Sequence, residues 1–464
     1  MSKLLSSAEW LLYSQAALVG SPELLERISV VVTDSRQTQP DSLFVTLPGQ
    51  KTQGWNFLEA AYQRGCRVFW APEVAHQALS SFIQNHRDVA YLLSVDPLKD
   101  LQHLAGEYLR RKSVAFRVGV TGSQGKTSVK EMLRVVLQTK GDTYATQGNL
   151  NSIYSLPCEC LRIQDHHRFA VFEMGIDHVG EMEVLANLIR PQAAIITGIG
   201  TAHAEFLGGR EGIAREKAKI ASLTTSEDVF LVPKEDDFYH SLIQGVRAQI
   251  LPYGFEDLDP GSLEVESWGK TRFRFKGYQV ELPLGGRHFA RNAVGVLKLA
   301  DYLGLDLSLS TQALSRLELP PGRSRWIQGE ITILDDSYNA SLQSVEALLN
   351  TLKELPRPNF LILVLGSMLE LGDLSQEAHQ RIGSMAAQLA PDVLVWVGEE
   401  AHWGFEAAKR TYNGNHFWAK DVFGALEYLK PIVKPGHFLA VKGSRSINLD
   451  QIVNHFSQEI SHVV

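Results

Sequence analysis

The feature that most limits what this chain can become is the stretch Val118-Gly119-Val120-Thr121-Gly122-Ser123-Gln124-Gly125-Lys126-Thr127. An apolar run, Ala115 to Val120, precedes it, and a helical pattern, Thr127 to Gln138, follows. A strand, a glycine loop and a helix opening on Lys-Thr make a backbone cradle for phosphates. Glycines let successive N–H groups approach phosphate oxygens, and the helix N-terminus adds positive potential. In such a loop Gly122, Ser123, Gln124 and Gly125 supply backbone, Lys126 reaches the β- and γ-phosphates, and the Thr127 hydroxyl ligates Mg²⁺. The usual G-x-x-x-x-G-K-[ST] spacing needs glycine at position 120, where Val120 stands, so this is a tighter T-G-x-x-G-K-T variant. An ordinary turn is the plain alternative. The flanking strand and helix and the Lys-Thr pair favour a nucleotide phosphate site.

Length bounds the organisation. At 464 residues the chain exceeds one ordinary core, and about two to four domains are expected. With 44% apolar and 21% charged residues and a net charge of −7, the chain has the composition of a soluble globular protein, and no nucleic-acid partner is expected. Cys66, Cys158 and Cys160 are too few for a disulfide framework, and Cys158-x-Cys160 has the wrong spacing for a zinc pair. Buried thiols in a reducing compartment are expected. The N-terminus lacks a signal-peptide core, and no apolar run is long enough to span a membrane. The expectation is a cytoplasmic protein.

The patterns predict an α/β chain in three parts: a small mixed domain over 1–112, a central P-loop-type parallel-sheet domain over 113–322, and a Rossmann-like domain over 323–464. In the first, Ser42 to Leu47 and Cys66 to Trp70 read as strands around a helix from Phe57 to Arg64. Arg110-Arg111-Lys112 reads as a solvated boundary. In the second, Phe169 to Met174, Ala193 to Thr197 and Val229 to Val232 read as strands. Helices are expected over Glu181 to Ile189, Gly212 to Leu223 and His288 to Leu303. Two alternating segments, Leu263 to Trp268 and Thr271 to Leu284, read as antiparallel strands. Pro320-Pro321-Gly322 closes this part. In the third, four apolar strands, Ile331 to Asp335, Phe360 to Leu365, Val393 to Val397 and Phe438 to Val441, alternate with helices, a mostly parallel sheet without a G-x-G-x-x-G dinucleotide loop.

In open parallel sheets ligands sit beyond the carboxyl ends of strands. The phosphate loop ends one strand, Glu173 the next, and His203 follows a third. A carboxylate and an imidazole beside a phosphate loop suggest ligands for a nucleotide–Mg²⁺ complex. A strand-end surface carboxylate and a loop histidine are the alternatives.

Several motifs occur in order along the chain. Gly119 to Thr127, Thr146-Gln147-Gly148-Asn149-Leu150-Asn151, Glu173-Met174-Gly175, Ala202-His203 and Glu211 to Ile220 resemble the central domain of the Mur ligases. These are ATP-dependent amide-bond-forming enzymes of peptidoglycan synthesis. Asp34-Ser35-Arg36, followed by Asp41 to Phe44 and Gly49, resembles their UDP-binding N-terminal domain. Asp335 to Ala340, Leu365 to Gly372 and Val441-Lys442-Gly443-Ser444-Arg445 resemble the C-terminal domain of the member that joins D-alanyl-D-alanine to UDP-N-acetylmuramoyl-tripeptide. The resemblance spans nearly the whole chain.

The resemblance implies that ATP phosphorylates the tripeptide carboxylate, and that the dipeptide amine attacks the acyl phosphate. It implies two Mg²⁺ ions, the first served by Thr127 and Glu173, the second by His203, and Lys126 on the γ-phosphoryl oxygens. Lys217 takes the place of a carbamylated lysine that holds Mg²⁺. From the residues alone, Lys217 and Lys219 read as solvated helix lysines. Asn292 matches the asparagine that contacts adenine, Arg323 an arginine on the ATP phosphates, and Asp336 an aspartate near the ribose. Ser35, Arg36, Asn149 and Asn151 fall in substrate-binding motifs. Lys442, Ser444 and Arg445 belong near the dipeptide or the acceptor. A monomer is implied.

The chain departs from the family pattern at Ser152, Tyr154 and Ser155, at Gly198, at Ser341-Leu342, at Ser367 and at Gln53-Gly54-Trp55. These lie in loops the family uses for substrates and domain contacts. A divergent ligase with another amine acceptor is therefore the second reading. A folylpolyglutamate- or cyanophycin-type ligase would lack the Asp-Ser-Arg domain and the Lys-Gly-Ser-Arg motif. A nucleotide switch would have lost the metal set, and a nucleotide kinase would not explain an arginine at the domain seam.

Overall fold

Apolar strands alternating with helices build four sheets among the described residues. The computed structural model describes residues 4–49, 52–112, 116–266 and 269–458. Ala115 and Trp268, expected at strand ends, lie outside the described residues, as do positions 113 and 114 at the expected start of the central domain. Contacts divide the chain into two compact units: Met1–Gly119 with Asp142–Ile176 and Glu181–Gln192, and Val120–Gly141 with Asp177–Gly180 and Ala193–Val464.

The first unit holds a five-stranded sheet of Ala17–Val19 (β1), Val30–Val32 (β2), Ser42–Val45 (β3), Val68–Pro72 (β4) and Ala90–Ser94 (β5), in the order β1-β5-β4-β3-β2. Only β1 runs antiparallel to its neighbour. The helix Pro97–Arg111 starts where the Asp96 side chain accepts from the Lys99 N–H and proline occupies the first turn, both helix-start signals. It packs on the helices Leu156–Cys160 and Glu181–Ile189. Tyr108 Oη donates to the Ile163 carbonyl at 2.6 Å. The basic cluster at the end of this helix is solvated as expected at Arg110 and Arg111, with Arg110 on Glu107 at 2.6 Å and Lys112 on Asp165 at 2.8 Å. The three cysteines are unpaired and buried.

The central six-stranded sheet comprises Phe116–Thr121 (β6), Thr143–Ala145 (β7), Phe169–Glu173 (β8), Ala193–Ile196 (β9), Val229–Pro233 (β10) and Gln249–Tyr253 (β11), ordered β11-β10-β9-β6-β8-β7. Strand β6 contributes residues to both units. The helix expected over Gly212 to Leu223 begins earlier and ends at Ala218, followed by a short 3₁₀ turn, Lys219–Ala221. The antiparallel part has three strands, Glu264–Glu266 (β12), Lys270–Phe275 (β13) and Tyr278–Leu282 (β14), where two were expected. Lys276 and Gly277, at φ +50° and +81°, break the second segment. Positive φ at both loop positions makes a tight two-residue hairpin.

The last sheet comprises Arg325–Ile327 (β15), Thr332–Asp336 (β16), Leu361–Gly366 (β17), Val393–Val397 (β18), Asn415–Ala419 (β19) and Phe438–Lys442 (β20), ordered β15-β16-β20-β17-β18-β19. All pairs are parallel except β15–β16. Alternate residues of β17 and β18 fall in two separate cores, Leu363 and Trp396 in one, Val364 and Val395 in the other. Both faces are therefore covered, which is why these strands read as unbroken apolar runs.

One polar group is sealed inside this last part. On the helix Ser375–Leu389, His379 is buried; its Nε2 accepts from the Met368 N–H at 2.9 Å, and its Nδ1 lies 2.7 Å from the Ser375 carbonyl. Burial holds its imidazole below the ordinary value of 6.5. As pH falls below that value, the unfolded chain takes up a proton that the folded chain resists, so stability is lost towards acid. His379→Leu should flatten this acid limb in denaturant-midpoint measurements. At pH 7 it should cost about 1–3 kcal/mol through the orphaned Met368 N–H.

Candidate active site

The phosphate loop joins β6 to the helix Lys126–Leu137. Gly122 has φ +148°, and a Cβ there would lie 1.9 Å from Thr197 Oγ1. Gly125 has φ +79°, and a Cβ would lie 2.8 Å from Asn292 Nδ2. Both positions demand glycine on conformation and on space. The Ser123 N–H donates to the Gly198 carbonyl at 2.9 Å, and Thr197 Oγ1 donates to the Gln124 carbonyl. Gly198, one of the departures from the family pattern, has φ +140°, a conformation that disfavours a side chain. Lys126 Nζ folds back onto the Gly122 carbonyl at 2.8 Å. Thr127 is buried, and Ser123 Oγ, Gln124 Oε1 and the buried Asn292 Oδ1 have no hydrogen-bond partner among the described residues. A cradle with no room for side chains at Gly122 and Gly125, with a lysine, a helix start and unpartnered polar atoms, fits a nucleotide polyphosphate.

His203 and Lys217 lie in the same unit as this loop. His203 sits at φ +61° at the start of the short helix Ala204–Leu207. Its Nδ1 is 2.6 Å from Glu370 Oε2 and 3.4 Å from Asp177 Oδ1. Nearby, Gln343 Oε1 accepts from the Thr201 N–H at 3.0 Å and from its hydroxyl at 3.2 Å. Lys217 is 1% exposed on the helix Gly209–Ala218, which overturns the expectation of a solvated lysine. Burial first, and then the charge of Lys126, hold its amine well below the ordinary lysine value. Lys219 is half-buried and pairs with Glu216 at 2.7 Å.

The C-terminal motifs gather at the carboxyl ends of β16, β20 and β17, where Lys442 lies in register with Asp336 and Leu365. Lys442 Nζ, buried, reaches Asp336 Oδ2 at 2.6 Å and the Asn339 carbonyl at 3.0 Å. Two residues expected on different ligands are thus paired with each other. Asp336 Oδ1 also accepts from the Ser324 N–H at 3.0 Å. The guanidinium carbons of Arg323 and Arg445 lie 3.8 and 5.7 Å from the Tyr338 ring centroid. Ser444 Oγ is occupied by the Leu369 N–H at 3.0 Å. Two departures are internal fasteners: Ser367 Oγ accepts from the Ala401 N–H at 3.0 Å, and Ser341 begins the helix Leu342–Glu354 in a capping box with Ser344.

In the first unit, Glu173 ends β8 and is 1% exposed, not a surface carboxylate. Its Oε1 accepts from Asn151 Nδ2 at 2.8 Å, and its Oε2 has no partner among the described residues. A buried carboxylate oxygen left unpaired is costly, and it fits a cation ligand. The Asn151 carbonyl accepts from the Gly175 N–H at 2.9 Å, whereas Asn149 is exposed. Arg36 is exposed and forked onto Asp34, and it follows Ser35 in a 3₁₀ turn. Among the described residues no three His, Cys, Asp or Glu side chains converge on one point. Mg²⁺ is typically held by one or two carboxylates with phosphate oxygens and water, so the donors present suit it.

Sequence reasoning missed Gln343, and gave Thr197, Tyr338 and Glu370 no role although each lay inside a quoted strand or motif. Glu370 has φ +61°, a backbone turn that no local pattern signals for glutamate.

Comparison with known proteins matches this geometry. The family model of the Mur ligase middle domain matches residues 120–300, and that of the Mur ligase, glutamate ligase domain matches 322–445. A UDP-N-acetylmuramoyl-tripeptide–D-alanyl-D-alanine ligase of Borreliella burgdorferi is 31% identical over 94% of this chain and 96% of its own. The crystal structure of MurF from Acinetobacter baumannii superposes with a TM-score of 0.83 at 26% identity, covering 98% of each chain. MurF ligase from Thermotoga maritima, solved in complex with ADP, gives 0.78 at 25% identity over 94% of this chain and 99% of that one. The chain belongs to the Mur ligase family.

Proposed function

We propose that this protein joins D-alanyl-D-alanine to UDP-N-acetylmuramoyl-tripeptide at the expense of ATP, through an acyl phosphate, in peptidoglycan precursor synthesis. What carries the reading is the arrangement of the second unit: a loop with no room for side chains at Gly122 and Gly125, with Gln343 and Glu370 of the C-terminal region against residues 201–203. The names of the full-length relatives support the substrates.

In this reading the chain positions anions and neutralises charge, and little covalent chemistry falls to the protein. Lys126 leaves the Gly122 carbonyl for the γ-phosphoryl oxygens. The 122–125 backbone holds the phosphates, Asn292 reads adenine, and Arg323 and Asp336 hold the phosphates and ribose from the C-terminal side. Thr127, Glu173, His203 and Lys217 would hold Mg²⁺, which when bound supplies charge neutralisation at the transferring group. Ser35 and Arg36 take the UDP moiety, Asn149 and Asn151 the acceptor, and Lys442 and Arg445 the anionic end of the dipeptide. The contacts of Gln343 and Glu370 exclude water from the acyl phosphate. The three proposed domains, 1–112, 113–322 and 323–464, divide these tasks. Unpaired buried thiols support a cytoplasmic setting.

Lys217 acts here as a carbamate. Burial holds its amine well below the ordinary lysine value, which favours the neutral form whose lone pair attacks CO₂. The N–C bond forms as one C=O π bond of CO₂ opens, a proton leaves, and a neutral amine becomes a carboxylate-like anion.

Three measurements test this. Phosphate release with ATP and Mg²⁺ should require both the nucleotide-sugar tripeptide and D-alanyl-D-alanine. Release with the tripeptide and only some other amine would move the acceptor. Gly125→Ala should weaken ATP-analogue binding about tenfold or more in a titration, because φ +79° and Asn292 both oppose a methyl group. Lys217→Ala should abolish ligation while far-UV circular dichroism stays native, and short carboxylates should partly restore it. Near-normal ligation by this variant would remove the carbamate.

A further inference from the structure

His203 has two ring nitrogens, and only one can face a metal ion. Its Nδ1 lies 2.6 Å from Glu370 Oε2 and 3.4 Å from the more exposed Asp177, close enough to pair but without the alignment of a hydrogen bond, so this buried nitrogen awaits an acceptor. Burial does not force this pairing, since Glu370 is half exposed. The backbone does. Both His203 and Glu370 stand at φ +61°, a conformation glycine or asparagine takes more readily. Each is aimed at the other by its own turn. The loop bearing Glu370 is itself fixed: the Met368 N–H is held by buried His379 and the Leu369 N–H by Ser444 Oγ, and a Cβ on Gly372 would lie only 3.3 Å from Glu205 Cβ. Histidines that ligate metals almost always donate their other ring N–H to a carboxylate or carbonyl, which sets tautomer and orientation.

We propose that Glu370 is a positioning residue for His203. It accepts the Nδ1 proton, fixes the tautomer with the Nε2 lone pair free, and turns that nitrogen towards the second metal ion. Because Glu370 comes from the C-terminal region, a complete ligand forms only when that region lies against the 201–205 loop. This rests on the reading of His203 as a metal ligand.

The test is Mn²⁺ binding to the full chain with a non-hydrolysable ATP analogue, followed by electron paramagnetic resonance. Glu370→Ala should weaken the second Mn²⁺ about tenfold or more while leaving the first. Glu370→Gln, which keeps an acceptor oxygen, should restore most of that loss. His203→Ala separates the two levels. If it leaves the second ion unchanged, the metal role of His203 fails. If it loses the ion and Glu370→Ala does not, the positioning role alone fails. Gln343→Ala removes the neighbouring contact with Thr201 but not the histidine contact. If it weakens the ion as much as Glu370→Ala, the effect is one of closure, and the positioning role is overturned.

Discussion

The close approach of the 121–125 loop to Thr197 and Gly198 is the constraint on which the site depends. Thr197 Oγ1 sits where a Cβ of residue 122 would be, and the Gly198 carbonyl takes the Ser123 N–H. The loop is therefore shaped by the adjacent strand end and not by its own residues alone. Arg291 extends this support by donating to the Thr197 carbonyl at 3.0 Å, and Asp236 does so by accepting from the Ile199 N–H at 2.7 Å. A rigid scaffold of this kind spares the protein reorganisation at the moment of reaction.

The second layer is electrostatic. A buried amine at Lys217, a buried carboxylate oxygen at Glu173 without a partner, and a buried Lys442–Asp336 pair all lie outside the ordinary rules for protein interiors. The paired charges satisfy one another. Glu173 Oε2 has no partner among the described residues, a cost that a protein tolerates where function requires it.

Much of this was legible in the sequence. Fully buried strands such as Val393–Val397 and the helix Glu181–Ile189 appeared with their observed bounds because continuous apolar runs and helical periodicity report burial directly. The split of the β13–β14 segment was not legible, because Lys276-Gly277 carries no strong turn signature until its positive φ is seen. Short strands such as Ala17–Val19, with only one side chain half-buried, gave no pattern at all. Within the site, glycines and Lys126 could be read because their chemistry depends on residue type. Gln343, Glu370 and the burial of Lys217 depend on tertiary placement, and Lys217 looks solvated from its own helix.

The central claim is that the tripeptide carboxylate becomes an acyl phosphate before the amine attacks. Label transfer tests it most directly. The terminal carboxylate of UDP-N-acetylmuramoyl-tripeptide would carry ¹⁸O, and the phosphate released during ligation would be analysed by mass. One ¹⁸O atom per phosphate is the result this account requires, since the attacking carboxylate oxygen leaves with the phosphoryl group. Unlabelled phosphate beside labelled amide, with the second ¹⁸O lost to water, would mean that the carboxylate oxygen never joined the phosphoryl group, and the acyl phosphate would fall.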